Sequence, residues 1–320
     1  MAEKRPFVSN AAMTAIAIGY SNPAIAMIAD RALPRVPVPT ENFKWLRYND
    51  DEAFSVPETR IGRKGRLNEV EFTATEESGS VKTYGLKSVI PLSDINVAKA
   101  QRDKGLSTYD PRLHTTAMLT ELMLLDRERR VAAMYQNAAN YEAGNVTAIA
   151  NAADRFDVDT GDPEAIIDAA INGVFIVRPN TCAMSEQVWQ KMRRNINLVK
   201  AIKGTTQADG KITQREFSEY FEIQNVLIGA AWVNTARPGQ AANMQRAWGK
   251  HISFVYIDRM ARPEGGVTWG FSPEFGSRVA GTIPDPDVGL EGGEEIRVGE
   301  RVDELVVAKK AGAFIQNAIS

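Results

Sequence analysis

Apolar and polar residues alternate through Asn68, Val70, Phe72 and Ala74, and again through Tyr84, Leu86, Ser88, Ile90 and Leu92. That is the period of strands with one apolar face. Between the strands expected over residues 53–92 sits Arg60-Ile61-Gly62-Arg63-Lys64-Gly65-Arg66, where two glycines permit a turn and four basic residues keep it in water. The pattern predicts an extended β-ribbon with a cationic tip. A two-stranded ribbon cannot hide its apolar stripe by itself. The cover must come from elsewhere in the same chain or from a neighbouring subunit.

Upstream, prolines 23, 34, 37 and 39 forbid a long helix over residues 21–48, and Leu33 to Pro39 is predicted to be extended, because a residue before proline is pushed out of the helical region. Downstream, Asp110 and Pro111 read as an N-cap and first-turn pair, followed at helical spacing by Leu119, Leu122, Met123, Val131 and Met134. A helix reaching Asn137 would be on the order of 40 Å long. Asp162-Pro163 opens a second helix through Ile166, Ile167, Ala170 and Ile171. A strand at Thr181 to Met184 leads to Ser185, expected to cap a third helix that holds Trp189, Met192 and Ile196. Thr213 and Glu216 have the spacing of a capping box for a fourth, ending near Phe221. Strands are then predicted at 225–229, 251–257, 267–271 and 304–308. The class is α+β, with the helices concentrated in the middle.

The chain has 320 residues, 44% of them hydrophobic, enough for a sizeable core, and its 38 basic and 40 acidic residues nearly cancel. No sequence-wide drive toward nucleic acid follows from that balance. One cysteine, Cys182, excludes an intramolecular disulfide, and two histidines, His114 and His251, leave no multi-histidine metal site within one chain. No apolar run approaches the roughly 20 residues of a transmembrane helix. The Ala/Ile-rich residues 11–20 behind Lys4 and Arg5 read as a short helix or arm, since Asn10, Thr14 and Gly19 dilute any signal-peptide character.

Chemistry-bearing patterns are few. Asp209-Gly210-Lys211-Ile212-Thr213 and Glu216 copy the second half of an EF-hand loop, but Thr205 and Gln207 stand where carboxylate-type ligands belong. Two carboxylates are too few, and the capping box already accounts for Glu216. Gly204 to Lys211 approaches a phosphate loop with the wrong spacing, and Ile212 replaces its hydroxyl. Cys182 lies in an apolar stretch and reads as a small buried hydrophobe. Trp232, Trp248, Phe254, Tyr256, Trp269 and Phe271 read as core or interface. No catalytic, cofactor-binding or metal residue is assigned, and the chain is not expected to be an enzyme. The basic tip is open to a protein partner, a bland turn or a phosphate backbone, although no aromatic platform for single-stranded nucleic acid is interleaved in it.

The order of elements, N-terminal arm, ribbon, long helix, mixed central region and returning strands, resembles that of the major capsid proteins of tailed bacteriophages, the Hong Kong 97 fold. Short stretches are similar to that family in the same order: residues 15–22, Leu33 to Val38, Asp126 to Tyr135, Pro179 to Ser185 followed by Trp189, and Ala247-Trp248-Gly249. The resemblance implies an N-terminal arm at 1–52, an extended loop at 53–92, a peripheral domain with a spine helix at 93–164, an axial domain at 165–258, and returning strands at 259–320. It also implies hexamers and pentamers of an icosahedral shell, with a scaffolding protein, a portal, a decoration protein and packaged double-stranded DNA as partners. The location implied is the virion, with assembly in the host cytoplasm. Within that reading the tip Arg60, Arg63, Lys64 and Arg66 is expected to dock on a neighbour's acidic surface, with Glu291, Glu294, Glu295 and Glu300 as its candidates. The rivals are an encapsulin-like compartment inside the fold and, outside it, an uncatalogued enzyme or a calcium-binding module.

Overall fold

The computed structural model describes residues 8–9, 27–48, 54–63, 65–67, 69–71, 73–175, 177–204, 210–237, 239–260 and 266–320. Residues 11–20, Lys64, Asn68, Phe72, Thr205, Gln207 and Asp209, which figure in the expectations above, lie outside them. After the two-residue strand β1 (Val8–Ser9) come one helical turn, α1 (Ala29–Ala32), and the strands β2 (Arg35–Pro37) and β3 (Asn42–Tyr48). Then follow β4 (Ala74–Ser80), β5 (Lys82–Pro91), α2 (Leu92–Asp103) and the long helix α3 (Pro111–Tyr135). The second half supplies β6 (Val146–Ala148), α4 (Pro163–Asn172), β7 (Thr181–Ser185), α5 (Glu186–Met192), α6 (Ile196–Lys203) and α7 (Gln214–Phe221). It ends in β8 (Asn225–Gly229), β9 (Trp232–Asn234), β10 (Met244–Arg246), β11 (Ile252–Val255), β12 (Gly270–Glu274), β13 (Val279–Asp285), β14 (Gly293–Val302), β15 (Leu305–Val306) and β16 (Gly312–Gln316).

Two sheets organise the chain. The smaller has the order β6-β16-β11-β7-β8, with β11 antiparallel to both neighbours, and carries α4 to α7 around a core that includes Ile167, Met184, Trp189, Phe217 and Phe254. The larger is built on β14, which pairs with β13 on one side and along all ten residues of β5 on the other. The first half of α3 lies over this sheet, where Leu119 and Met123 pack on Ile90, Ile296 and Val298. Its second half enters a further core with Val131, Tyr135, Trp248, Trp269 and Phe314, so one helix of about 37 Å joins both sheets.

The cap signals are honoured. Asp110 accepts from the Arg112 amide at 2.9 Å with Pro111 in the first turn, Asp162 accepts from Ala165, Ser185 from Val188, and Thr213 and Glu216 close a reciprocal capping box. The expected third helix is two. It breaks after Met192, and the Asn195 side chain accepts from the amides of Asn197 and Leu198 to start α6. The strand expected at 267–271 runs from Gly270 to Glu274 because Trp269 turns into the core, and that expected at 304–308 shortens to Leu305–Val306. Helix α2 and strands β3, β6, β9, β10, β13, β14 and β16 lie where the sequence pattern predicts no such element.

The ribbon differs from its sequence reading. Its β4 limb pairs with Asn42–Tyr48, not with residues just before the tip, and Phe43 lies over Gly79, where a Cβ would stand 2.6 Å from its ring. Phe43, Trp45 and Val38 are covered by Val81, Phe275, Leu305 and Val307 of the same chain. Same-chain cover therefore holds for the base of the ribbon.

Candidate assembly surface

Along α3 the buried charged side chains are met by distant segments, while Leu113, Met118 and Leu122 stay exposed. Glu128 is fully buried and accepts from the amides of Ile28 (3.0 Å) and Ala29 (2.7 Å) and from the Trp248 indole (2.7 Å). Burial pushes its pKa up against the pull of these three donors. The adjacent Arg127, also fully buried, donates to the Leu33 carbonyl at 3.0 Å and to the Ser272 hydroxyl at 3.2 Å, and Tyr135 donates to the Ala32 carbonyl at 2.6 Å. The helix thus holds α1 at both ends, acid to its N–H groups and donors to its carbonyls. Trp248 sits against Gly229, where a Cβ would come within 2.2 Å of the indole, so only glycine fits there.

Ion pairs tie the sheet to α3 and to the segment behind α1. Arg112 grips Glu294 through two bonds of 2.6 Å, Arg130 binds Glu304 at 3.0 Å beneath the Tyr84 ring, and Arg35 spans Asp30, Glu274 and Glu300. Lys87 meets Glu295 at 2.8 Å, Arg297 pairs with the same carboxylate, and Arg278 reaches Glu300 at 3.0 Å. Lys87, chiefly, holds Glu295 below the usual carboxylate range. Of the four acidic residues expected to receive a neighbour's tip, Glu295 and Glu300 are buried, and these two with Glu294 already bind cations of their own chain; Glu291 is exposed. Charge pattern alone makes Glu294, Glu295 and Glu300 look as solvent-facing as Glu291, because most of the cations that pair with them, Lys87, Arg112, Arg35 and Arg278, come from outside β14.

The tip is the opposite case. The described residues over 54–73 have no regular secondary structure and are exposed throughout. Arg60, Arg63 and Arg66 all lie there, and a tight turn forms as the Gly65 amide donates to the Gly62 carbonyl at 2.8 Å. A Cβ on Gly65 would stand 3.1 Å from Ile61, so the turn leaves little room for a larger residue. Phe54, Val56, Ile61, Leu67 and Val70 are exposed on the same stretch, Val56 at 95% and Leu67 at 80%. Of these five, Phe54 lies against the ring of Phe175 at 5.1 Å between centroids, and together they make the limb unusually apolar for an exposed stretch.

The other expected features resolve as structure. Cys182 is fully buried and burial pushes its thiol pKa up. The Glu216 carboxylate is occupied by the Thr213 amide at 2.7 Å. Trp248, Phe254, Trp269 and Phe271 are buried, whereas Trp232 is exposed under Arg246. Among the described residues no group of three or more His, Cys, Asp and Glu side chains could hold a metal ion, and no helix is long and apolar enough to cross a membrane.

The body is packed around buried cores, and the described residues of the limb over 54–73 are exposed. No family model matches the chain. The major capsid protein of Pseudomonas phage JBD67 is 40% identical over 315 residues, covering 98% of each chain. The chain belongs to the phage major capsid protein family. Its α+β fold resembles Hong Kong 97-like capsid proteins: a phage-related protein of Bordetella bronchiseptica matches with TM-score 0.72 and 17% identity over 98% of this chain and 99% of that one. The capsid of the cyanophage P-SCSP1u matches with TM-score 0.57 and 12% identity over 94% and 92%. At such identities the likeness concerns fold alone.

Proposed function

We propose that the chain assembles in the host cytoplasm as the head subunit of a tailed, double-stranded DNA phage, forming hexamers and pentamers of an icosahedral shell around the genome. In this reading residues 1–52 are an N-terminal arm and 53–92 an extended loop lying on the next subunit. Residues 93–164 form a peripheral domain with α3 as its spine, 165–258 an axial domain at the symmetry axes, and 259–320 the returning strands. The observation that carries it is the limb over residues 54–73, irregular and exposed at every described position, with apolar and basic side chains together. Burying each of its large apolar side chains in a neighbour would contribute about 1.5–3 kcal/mol, less the cost of ordering the loop.

A cationic tip of Arg60, Arg63, Lys64 and Arg66 adds steering toward a neighbour's carboxylates, with Glu291 the one expected acceptor that is exposed. A scaffolding protein, a portal and a decoration protein complete the partners, and the near-neutral chain contains DNA by proximity without gripping it. Negative-stain electron microscopy of the recombinant protein, with and without a scaffolding protein, tests the reading. Shells, tubes or capsomer rings support it; a monodisperse monomer under every condition overturns it. A packaged cargo enzyme in place of DNA would mark a compartment instead of a phage head.

A further inference from the structure

Strand β16 continues into a short segment that a histidine holds in place. The last ladder pair of β16 with β11 is Ile315 opposite Ile252, and Asn317 then turns the chain with φ at 55°, in the left-handed region. The Asn317 amide donates to Nδ1 of His251 at 3.0 Å, a side chain standing where a ladder would offer a carbonyl. The next amide, of Ala318, donates to the Lys250 carbonyl at 2.9 Å. Beyond the turn Ala318 and Ile319 are buried in the core of the smaller sheet.

The far side of this segment is tied to the loop before α4. The Phe156 amide donates to the Ala318 carbonyl at 2.7 Å, the Ser320 amide meets the Asp157 carboxylate at 3.2 Å, and Arg155 reaches the Ser320 hydroxyl at 3.3 Å. The same loop anchors the start of α6. Asn195 donates to the carbonyls of Phe156 and Val158 at 3.3 and 3.0 Å, and Asn197 to those of Asp159 and Gly161 at 3.1 and 2.9 Å. Residues 317–320 are thus a strap between β11 and the loop at 155–161.

An imidazole nitrogen that accepts an N–H carries no proton, so the closed strap requires neutral His251 with its hydrogen on Nε2. Protonation would set one N–H against another. On the surrounding elements, Phe314 of β16 lies 5.4 Å from the ring, Gln136 of α3 is uncharged and holds the Gly249 amide, and Lys250 precedes His251 in the chain. The charged groups of the loop, Arg155 and Asp157, are engaged by Ser320. Burial, and no neighbouring charge among the described residues, lowers the His251 pKa from its ordinary 6.5. We propose that His251 is an acid-sensitive latch, whose protonation weakens the hold on residues 317–320 and loosens the strap under the 155–161 loop. The contribution of the bond is present above about pH 6.5 and lost as the pH falls through the lower folded value. The latch goes beyond the assembly reading and stands or falls without it.

The test uses the unassembled full chain. Hydrogen exchange at the Asn317 and Ala318 amides, expressed as protection relative to the unstructured rate at each pH, should lose about threefold or more between pH 7.5 and 5 while the β14 ladder keeps its protection. His251→Asn retains an acceptor near the place of Nδ1 and takes up no proton, so its protection should stay within about 1.5-fold over the same range. Unchanged protection in the wild type, or an equal loss in His251→Asn, overturns the latch. If that variant does not fold, magnetic resonance of the wild-type imidazoles decides, with His114→Gln to assign the signals. A His251 midpoint below about pH 6.5 that the Asn317 amide follows supports the latch; a midpoint at 6.5 or above, or an amide that does not respond, overturns it.

Discussion

The clasp of α3 on α1 and the limb at 54–71 are built to opposite rules. In the clasp, every charged side chain that α3 buries is met by a group from a distant segment: Glu128 by Ile28, Ala29 and Trp248, Arg127 by Leu33 and Ser272. In the limb, apolar and basic side chains stand in solvent within one irregular stretch. On the proposed reading the contrast separates stability from assembly within one chain. Substitutions in the clasp should act on folding and hardly on contacts; substitutions in the limb should do the reverse.

That separation is open to attack by experiment. The largest effect is expected from Glu128→Ala, which strands three buried donors and should cost about 3–5 kcal/mol in denaturant unfolding of the unassembled chain. A loss below about 1 kcal/mol would mean that the clasp contributes little. Next comes Gly229→Ala, whose new methyl overlaps Trp248 and should cost about 1–3 kcal/mol, read as a lower denaturation midpoint with a shifted tryptophan spectrum. Reversing Arg63 and Lys64 to Glu should leave unfolding within about 0.5 kcal/mol of wild type yet impair shell formation. Normal shells from that double variant would remove the tip's steering role.

The smallest effect concerns acid. Burial raises the pKa of Asp30, but Arg127 and Arg35 outweigh it and hold the carboxyl below its ordinary 3.8. Its contribution is therefore present above about pH 3.8 and lost as the pH falls through the lower folded value. Asp30→Asn should lower stability at neutral pH and flatten the acid limb of the unfolding curve below pH 4, with half of the side chain in solvent keeping the change small. An unchanged acid limb would show that the pair carries no linkage.

Local signals in the chain were legible, and distant pairings were not. Asp110-Pro111 and the Thr213–Glu216 box announce helices because a cap is written within four residues. Asn195, read as helix interior, restarts a helix because its side chain outcompetes the backbone there. The partner of β4 could not be read from the alternation, since Phe43 and Trp45 lie about thirty residues upstream on the far side of the basic tip at 60–66. Strand β14 hid for a related reason. Its Glu295 and Glu300 are acids at buried positions, tolerable only because Lys87, Arg35 and Arg278 arrive from other parts of the chain. On the limb the sequence showed a strand pattern at 68–74, of which the single chain realises only the end that pairs with β3.

Helix α3 belongs at once to the core beneath the larger sheet and to the aromatic core beside the smaller one. Mechanically it is a beam set in two walls, and the subunit has no soft waist along it. Bending the molecule there would mean tearing side chains out of both cores together. When a closed shell swells or changes curvature, the load should pass through each body almost undeformed and be taken up at the seams between bodies.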